Sequence, residues 1–280
     1  MLIVEKDLLF KQQNNKITQE KFFKKWEQKE GKMENIWESW IVNQKIAHRG
    51  LHNEKYPENS IGAFKNAIKY GFAIELDVHL ISTGELVVIH DHTLDRTTNK
   101  TGSVENLKGE EIKDIILTGT KEKLPTLKEV LEIVDGKVPL MIEIKNVGKV
   151  GELESKLYEM LKEYKGEYAV QSFNPLSLKW FKENAPEVIR GQLSGYFVGE
   201  KSISFITKFL LKRMLLNGAS KPHFINYNLE NIPNRYLKRY KKLPLLAYTI
   251  RDEKALEYAN KNNVSNVIFE NFIPESVFNK

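Results

Sequence analysis

The sequence predicts an α/β protein that folds as one (β/α)₈ barrel, also called a TIM barrel, with eight parallel strands inside a ring of helices. From Gln44 onward, short apolar runs alternate with amphipathic stretches, which is typical of βα units and a parallel sheet. The 280 residues, 41% of them apolar, suffice for one large domain. A barrel of this kind typically needs about 250 residues.

Eight apolar runs mark the expected barrel strands. They are predicted to end near His48, Asp77, Lys145, Phe173, Leu193, Tyr227, Thr249 and Glu270. Helix start signals follow four of these runs, at Ser60, at Thr126 with Glu129, at Asn174 with Pro175, and at Asp252.

The chain divides into an N-terminal helical extension, residues 1–43, and a barrel domain, residues 44–280. Thr18 is expected to cap the first helix of the extension. The second helix has its apolar residues on one face, at Met33, Ile36, Trp37, Trp40 and Ile41. Only nine residues follow Asn271, too few for a full last helix, so we expect the second helix to pack near the first and eighth strands. Residues 92–124 form a small insertion between the second strand and its helix.

Composition and charge narrow the possible partners. The net charge of +6 and the pI near 9.1 favour anionic partners, but no nucleic-acid-binding motif and no evident protein partner emerge from the sequence. The absence of cysteine excludes disulfides, a thiolate nucleophile and zinc–cysteine sites. The start has no secretory pattern and no run reaches the length of a membrane span, so we expect a cytoplasmic protein.

Acidic residues close two of the apolar runs. Glu75 and Asp77 are two positions apart on a strand, so their side chains point to the same face. Two carboxylates at such a short distance repel each other unless a cation lies between them, which favours a divalent metal. Glu143 ends the next run, with Lys145 two positions further. Most such pairs elsewhere are solvated surface acids, and that alternative remains open for the pair alone.

Seven motifs, in order, resemble the glycerophosphodiester phosphodiesterase family. The resemblance covers roughly residues 44 to 175, and together the motifs are highly specific. They are HRG at 48–50, PENS at 57–60, ELDV at 75–78, VVIHDHTLDRTTNKTG at 87–102, LPTLKEVL at 124–131, IEIK at 142–145 and QSFNP at 171–175.

The resemblance implies metal-dependent hydrolysis of glycerophosphodiesters to sn-glycerol 3-phosphate and an alcohol. It implies that His48 and His90 act as acid and base, in an order that the sequence leaves open. It implies attack by the substrate's own glycerol hydroxyl before water completes the hydrolysis. Glu58 and Asn59 would support the site, and segment 92–124 would cap part of the barrel mouth.

The residues supply what phosphodiester cleavage needs, namely positive charge, a base and an acid. Glu75, Asp77 and Glu143 are hard oxygen ligands for Ca²⁺ or Mg²⁺. Arg49 and Lys145 offer further positive charge to the phosphate.

Other residues have weaker assignments. Gln171 is predicted to reach the barrel mouth, and Tyr248 is predicted to form an aromatic wall where the family usually has tryptophan. At the end of the eighth strand the sequence differs from the usual family pattern. Glu270 provides a carboxylate there, and its role is left open. His79 could approach the site or be a plain strand residue, and Asp91 is expected to orient its turn.

Two other functions remain open at this point. One is a lysophospholipase D that acts on membrane lipids, and the other is a non-catalytic phosphate- or lipid-binding module. The segment Lys201–Lys221 has five basic residues, no acid and a wide apolar surface. It is predicted either as the fifth barrel helix, with its apolar face on the sheet, or as a contact with anionic membranes.

Overall fold

A computed structural model describes residues 35–200 and 203–274, so the expected helix after Thr18 lies outside the described residues. The strands are β1 (Ile46–Ala47), β2 (Ala73–Leu80), β3 (Leu86–Val88), β4 (Leu140–Ile144), β5 (Tyr168–Ser172), β6 (Ile189–Ser194), β7 (Phe224–Asn228), β8 (Leu245–Ile250) and β9 (Asn266–Phe269). The α-helices are α1 (Trp40–Asn43), α2 (Ile61–Tyr70), α3 (Gly109–Ile112), α4 (Leu127–Val134), α5 (Glu152–Leu161), α6 (Pro175–Asn184), α7 (Phe205–Lys212), α8 (Asn217–Ser220) and α9 (Glu253–Lys261).

Eight parallel strands close into a barrel. Each pairs with its neighbour in the order β1, β2, β4, β5, β6, β7, β8 and β9, and β9 pairs back with β1. Helices lie between successive strands, which confirms the predicted (β/α)₈ fold. All strands except the second end within one residue of the predicted position. Strand β2 runs on to Leu80 because its last residues form an antiparallel ladder with β3.

The predicted helix starts are confirmed by their caps. Ser60 Oγ accepts a hydrogen bond from the Ala63 amide at 3.0 Å, before α2. Thr126 and Glu129 form a capping box at the start of α4, each side chain accepting from the other's backbone amide. The remaining two caps are the side chains of Asn174 and Asp252. Each cap satisfies a backbone donor that the first helical turn leaves without a partner.

The described part of the extension closes the amino-terminal end of the barrel. Its expected second helix is instead a 3₁₀ turn, Ile36–Glu38, followed by α1, because Ser39 between them has extended backbone angles. Ile41 is fully buried in a cluster at the bottom of the barrel. The side-chain amide of Asn266 on β9 donates to the Ile41 and Gln44 carbonyls, both at 2.8 Å. The predicted contact with the first and eighth strands of the barrel, which are β1 and β9, is therefore present.

The insertion has an apolar core of its own. Between β3 and α4 the chain forms a 3₁₀ turn, Val104–Asn106, and the short helix α3. Nine buried side chains hold it to the end of β2: Ile81, Val87, Ile89, Leu94, Val104, Leu107, Ile112, Ile115 and Leu124. Because this cluster is continuous with β2 and β3, it places the insertion beside the carboxyl end of the second strand.

No helix within residues 35–200 or 203–274 combines the length and the apolar character needed to cross a membrane.

Candidate active site

Three buried carboxylates meet inside the barrel mouth. Register pairing places Asp77 opposite Glu143 on the neighbouring strand, and Glu75 lies two residues below Asp77 on the same face. Each of the three offers an oxygen atom, and these atoms lie within 4.8 Å of one another. The structure therefore brings together the three predicted metal ligands.

The acid cluster fits a divalent cation. Burial, together with the negative charges of Asp77 and Glu143, raises the pKa of Glu75 well above its usual value. Oδ1 of Asp77 and Oε1 of Glu143 are buried, and within the described residues they have ion pairs with Lys145 but no well-aligned hydrogen bond. Three clustered carboxylates offer the hard oxygen ligands and the negative charge that Ca²⁺ or Mg²⁺ prefers.

Two predicted phosphate-binding cations lie against these acids. Lys145 Nζ lies 2.6 Å from Glu143 Oε1 and 3.1 Å from Asp77 Oδ1. Burial opposes a charged amine, but the two carboxylates hold the pKa of Lys145 above its ordinary value. Arg49 donates from its backbone amide to Glu75 Oε2 at 3.0 Å, and its guanidinium lies 3.6 Å from Asp77. The side chains of Lys145 and Arg49 therefore remain protonated beside the acids.

A tight turn after β1 places Arg49. The residue adopts a left-handed conformation with φ of 53°, and Gly50 follows with φ of 78°. A Cβ at Gly50 would lie 2.9 Å from the ring of Phe64 and 3.0 Å from the Ala63 backbone. Only glycine fits this turn without a clash, because it has neither the Cβ nor the steric penalty for positive φ.

His48 is held by a carboxylate from the last barrel strand. Its Nδ1 lies 2.5 Å from Oε2 of Glu270, whose other oxygen accepts from Arg251 Nε at 2.7 Å. Burial acts against ionisation of Glu270, but its bond to His48 keeps its pKa low. An ionised Glu270 fixes the proton of His48 on Nδ1 and leaves Nε2 as the atom available for chemistry. Burial lowers the pKa of His48.

His90 has a similar support from its own neighbour. Its Nδ1 lies 2.7 Å from Oδ1 of Asp91, which also accepts from Arg96. The guanidinium of Arg96 in turn makes two hydrogen bonds with Glu58, at 2.7 and 2.8 Å. Burial, joined by the positive charge of Lys145, lowers the pKa of His90 to about 4 although Asp77 acts in the opposite sense. Asp91 therefore positions an imidazole.

The acid and the two amides predicted to support the site or to reach the barrel mouth form hydrogen bonds with other residues of the site. Glu58 Oε1 accepts from Arg49 at 2.7 Å, and Asn59 donates from Nδ2 to Asp77 Oδ2 at 2.9 Å. Gln171 donates to Glu75 at 3.3 Å and accepts from Asn226 at 2.9 Å. These two bonds fix the Gln171 amide beside Glu75, and the side chain also lines the cavity above the acids.

A cavity of about 150 Å³ lies above the acids, with both histidines and Tyr248 in its lining. The Tyr248 hydroxyl donates to the Ser194 carbonyl at 2.9 Å, so this residue presents its ring to the cavity. Phe173 packs edge-on against Tyr248 with ring centroids 6.0 Å apart. The predicted aromatic wall is therefore part of the lining of this cavity. A larger cavity, about 500 Å³, lies beside Trp37 and Leu237, and its described lining has neither an acid nor a histidine.

Several assignments change once the geometry is known. His79 lies beyond the acid cluster and contacts Glu105 of the insertion at 3.0 Å. The residues that sequence reasoning missed are Arg96, Asn226 and the supporting role of Glu270. Arg96 lies within the 87–102 motif, which is the signal that could have found it. Asn226 has no such motif around it.

The arrangement joins an acid cluster suited to a cation to two imidazoles, each held at Nδ1 by a carboxylate. With these groups at the carboxyl ends of its strands, the protein is a barrel whose site is equipped for acid–base chemistry beside a cation. The Glycerophosphoryl diester phosphodiesterase family profile matches residues 48–273, and the chain belongs to that family.

Three similar proteins illustrate the relationship. The chain is 46% identical over 159 residues to a glycerophosphodiester phosphodiesterase of Caldanaerobacter subterraneus subsp. tengcongensis, a match covering 53% of this chain and 65% of that relative. It is 32% identical over 161 residues to a lysophospholipase D of Rattus norvegicus, a match covering 52% of this chain and 50% of that relative. The match therefore spans less than two thirds of either relative.

The third is a solved structure, an Oleispira antarctica phosphodiesterase in complex with the product sn-glycerol-3-phosphate. It superposes with a TM-score of 0.70 at 24% identity, covering 82% of this chain and 93% of that one. At this level of identity the similarity shows a shared fold.

Proposed function

We propose that this protein hydrolyses glycerophosphodiesters to sn-glycerol 3-phosphate and an alcohol, with a divalent cation, Ca²⁺ or Mg²⁺, held by Glu75, Asp77 and Glu143. The observation that carries the proposal is the placement of two carboxylate-bound imidazoles around one buried acid cluster. A binding module would need the acids or the cations, but it would not need two histidines each held in one tautomer.

The substrate's phosphate carries negative charge that repels a nucleophile. A bound divalent cation supplies positive charge to a phosphate oxygen, which favours attack on phosphorus. Arg49 and Lys145 add further positive charge, and the guanidinium suits two-pronged contact with phosphate oxygens. Ion pairs with the acid cluster hold both side chains beside the site.

His48 and His90 divide the proton transfers. One neutral imidazole removes the proton from the attacking glycerol hydroxyl of the substrate, and the other, as imidazolium, donates a proton to the departing alkoxide. The phosphorus–oxygen bond to the alcohol breaks as the bond to the glycerol oxygen forms. In the second stage the two roles reverse, as water opens the cyclic phosphodiester and sn-glycerol 3-phosphate is released.

Metal removal tests the proposal. After treatment with EDTA, we expect hydrolysis of glycerophosphocholine to fall to background, and Ca²⁺ or Mg²⁺ to restore it. Replacing one charged ligand by its uncharged amide, Glu143→Gln, should raise the cation concentration needed for half-maximal rate, because the hard cation loses an anionic ligand. Full activity in EDTA, or a Glu143→Gln variant with an unchanged cation requirement, would contradict the proposal.

A second candidate is hydrolysis of lysophospholipids at an anionic membrane surface, and helix α7 is the observation that favours it. No residue of α7 is buried. Phe205 is 83% exposed, Ile206 71% and Phe209 40%. The segment occupies the place of the fifth barrel helix, but Phe205, Ile206 and Phe209 face solvent. Among the described apolar residues of the segment, only Met214, beyond the helix, is buried in the main core.

Basic residues surround this apolar face. The guanidinium of Arg213 lies 3.5 Å from the Phe209 ring centroid and 5.5 Å from that of Tyr236. Arg213, Arg235 and Arg239 line a cavity of about 350 Å³ whose described lining contains no acid. Helix α7 also lies near the barrel mouth, because Ser194, at the end of β6, donates to the Leu211 carbonyl at 2.9 Å. Apolar side chains ringed by cations are typical of surfaces that bind anionic lipid.

Vesicle binding tests this candidate. We expect binding to vesicles containing an anionic phospholipid, weakening with salt. The triple change Lys208→Gln, Lys212→Gln and Arg213→Gln should reduce it about 100-fold, because each basic residue contributes about 1 kcal/mol at such a surface.

A matched control is Tyr70→Ser, since Tyr70 is 50% exposed at the far end of the barrel and should not affect vesicle binding. Absence of vesicle binding at low salt, with hydrolysis of soluble diesters only, would contradict the membrane candidate and leave the first proposal intact.

A further inference from the structure

Three side chains outside the proposed active site converge where the insertion meets β2. His79 is on β2, His92 is in the loop after β3, and Glu105 is in the 3₁₀ turn Val104–Asn106. The Nδ1 atoms of both histidines lie 3.0 Å from Oε1 of Glu105. The three atoms all lie within 4.8 Å of one another.

We propose that His79, His92 and Glu105 form a second metal site, which binds a divalent transition-metal ion such as Zn²⁺. Ligands about 2.0 Å from a tetrahedral ion stand roughly 3.3 Å apart, close to the spacing seen here. Two imidazoles and one carboxylate suit such an ion, whereas the all-oxygen cluster in the barrel suits Ca²⁺ or Mg²⁺. The two sites therefore differ in the ions they select.

The surrounding groups orient two of the ligands in the way a metal site requires. Nε2 of His79 lies 3.3 Å from the His90 carbonyl and donates to it, which directs Nδ1 toward the site. Ser103 Oγ donates to Oε2 of Glu105 at 2.7 Å, which leaves Oε1 for the ion. Metal-binding histidines and carboxylates are commonly held by such outer hydrogen bonds.

The fully buried ring of His79 provides an independent argument. Both of its nitrogens face an acceptor, Oε1 of Glu105 on one side and the His90 carbonyl on the other. A neutral imidazole has one N–H and can satisfy only one of them. A metal ion between Nδ1 of His79 and Oε1 of Glu105 would bind both atoms. The neutral ring would then use its one N–H to donate from Nε2 to the His90 carbonyl, so both nitrogens would have a partner.

The site has an entry path and an open position. The His92 side chain is 54% exposed, whereas that of His79 is fully buried, so an ion would enter from the His92 side. Three protein ligands leave a fourth tetrahedral position for water. A bound ion would tie β2 to the insertion, next to the backbone of His90.

Cobalt binding tests the proposal, because tetrahedral Co²⁺ with imidazole ligands absorbs visible light far more strongly than octahedral Co²⁺ with oxygen ligands alone. The full chain, first saturated with Mg²⁺, is titrated with Co²⁺. We expect one strongly absorbing equivalent. His92→Ala and Glu105→Gln should each weaken this binding by at least about 100-fold, since even outer partners of metal ligands contribute roughly 10- to 100-fold.

His52→Ala is the matched control. His48, His52 and Glu270 form the other cluster of imidazole and carboxylate in the described residues, and this variant weakens that cluster without touching the proposed site. It should bind Co²⁺ as the parent does. With Mg²⁺ kept saturating, Zn²⁺ should also raise the melting temperature of the parent but not that of His92→Ala. No strong absorption, unchanged binding in His92→Ala, or binding lost in His52→Ala would overturn the proposal.

Discussion

Replacing His90 by alanine is expected to lower turnover of a glycerophosphodiester by about 10² to 10⁴, the usual contribution of one acid–base group. The same loss is expected for His48→Ala. Neither histidine is one of the three proposed ligands in the barrel, so affinity for Ca²⁺ or Mg²⁺ should change little. Steady-state kinetics and calorimetric titration of the cation measure these two effects separately.

The control for this pair is His223→Ala. The ring of His223 accepts from the Arg190 amide at 3.0 Å, at the amino-terminal end of β6 and far from the acid cluster. This variant should retain turnover as long as it remains folded, which circular dichroism would check. Turnover near the parent value in both His48→Ala and His90→Ala would rule out the proposed proton transfers.

Replacing Ile41 by alanine is expected to destabilise the whole barrel by about 2 to 5 kcal/mol, the range for large-to-small changes at buried aliphatic positions. Ile41 is fully buried and packs with Ile46, Phe224 and Ile268, which come from three different strands. The cavity left by the missing side chain would lie at the centre of the barrel floor. Urea denaturation monitored by circular dichroism measures the change in free energy of unfolding.

Glu38→Ala serves as the matched substitution in the same segment. Glu38 is exposed, and its side chain accepts one hydrogen bond at 3.3 Å from the nearby Asn35, so we expect a change within about 0.5 kcal/mol. Equal stability of Ile41→Ala and the parent would show that residues 35–43 are an appendage and not the floor of the barrel.

The parts of the fold that local pattern determines were predictable from the sequence. Ser60, Thr126, Asn174 and Asp252 cap helices because capping depends on residues two or three positions apart. The spacing of Glu75 and Asp77 placed two carboxylates on one face because side chains alternate along a strand. These rules need no knowledge of the rest of the molecule.

The contacts that sequence reasoning missed depend on chain segments that are far apart. Arg96 reaches Glu58 from the insertion, and Asn226 on β7 reaches Gln171 on β5, 55 residues earlier in the sequence, so neither spacing nor periodicity could pair them. The apolar pattern of α7 correctly suggested a helix, but periodicity identifies a face without showing whether anything covers it. The break at Ser39 was also hidden, because the amphipathic pattern continues through it.

The bond between His48 and Glu270 joins the first strand of the barrel to the last, across 222 positions of sequence. During synthesis on the ribosome, His48 emerges early and has no carboxylate to hold its ring until the final strand has been made and has paired with β1. The proposed proton-transfer groups are thus completed at the same moment as the ring of strands. A chain in which β9 has not yet paired with β1 would carry the acid cluster but not an oriented His48, so the proposed site is complete only when the first and last barrel strands pair.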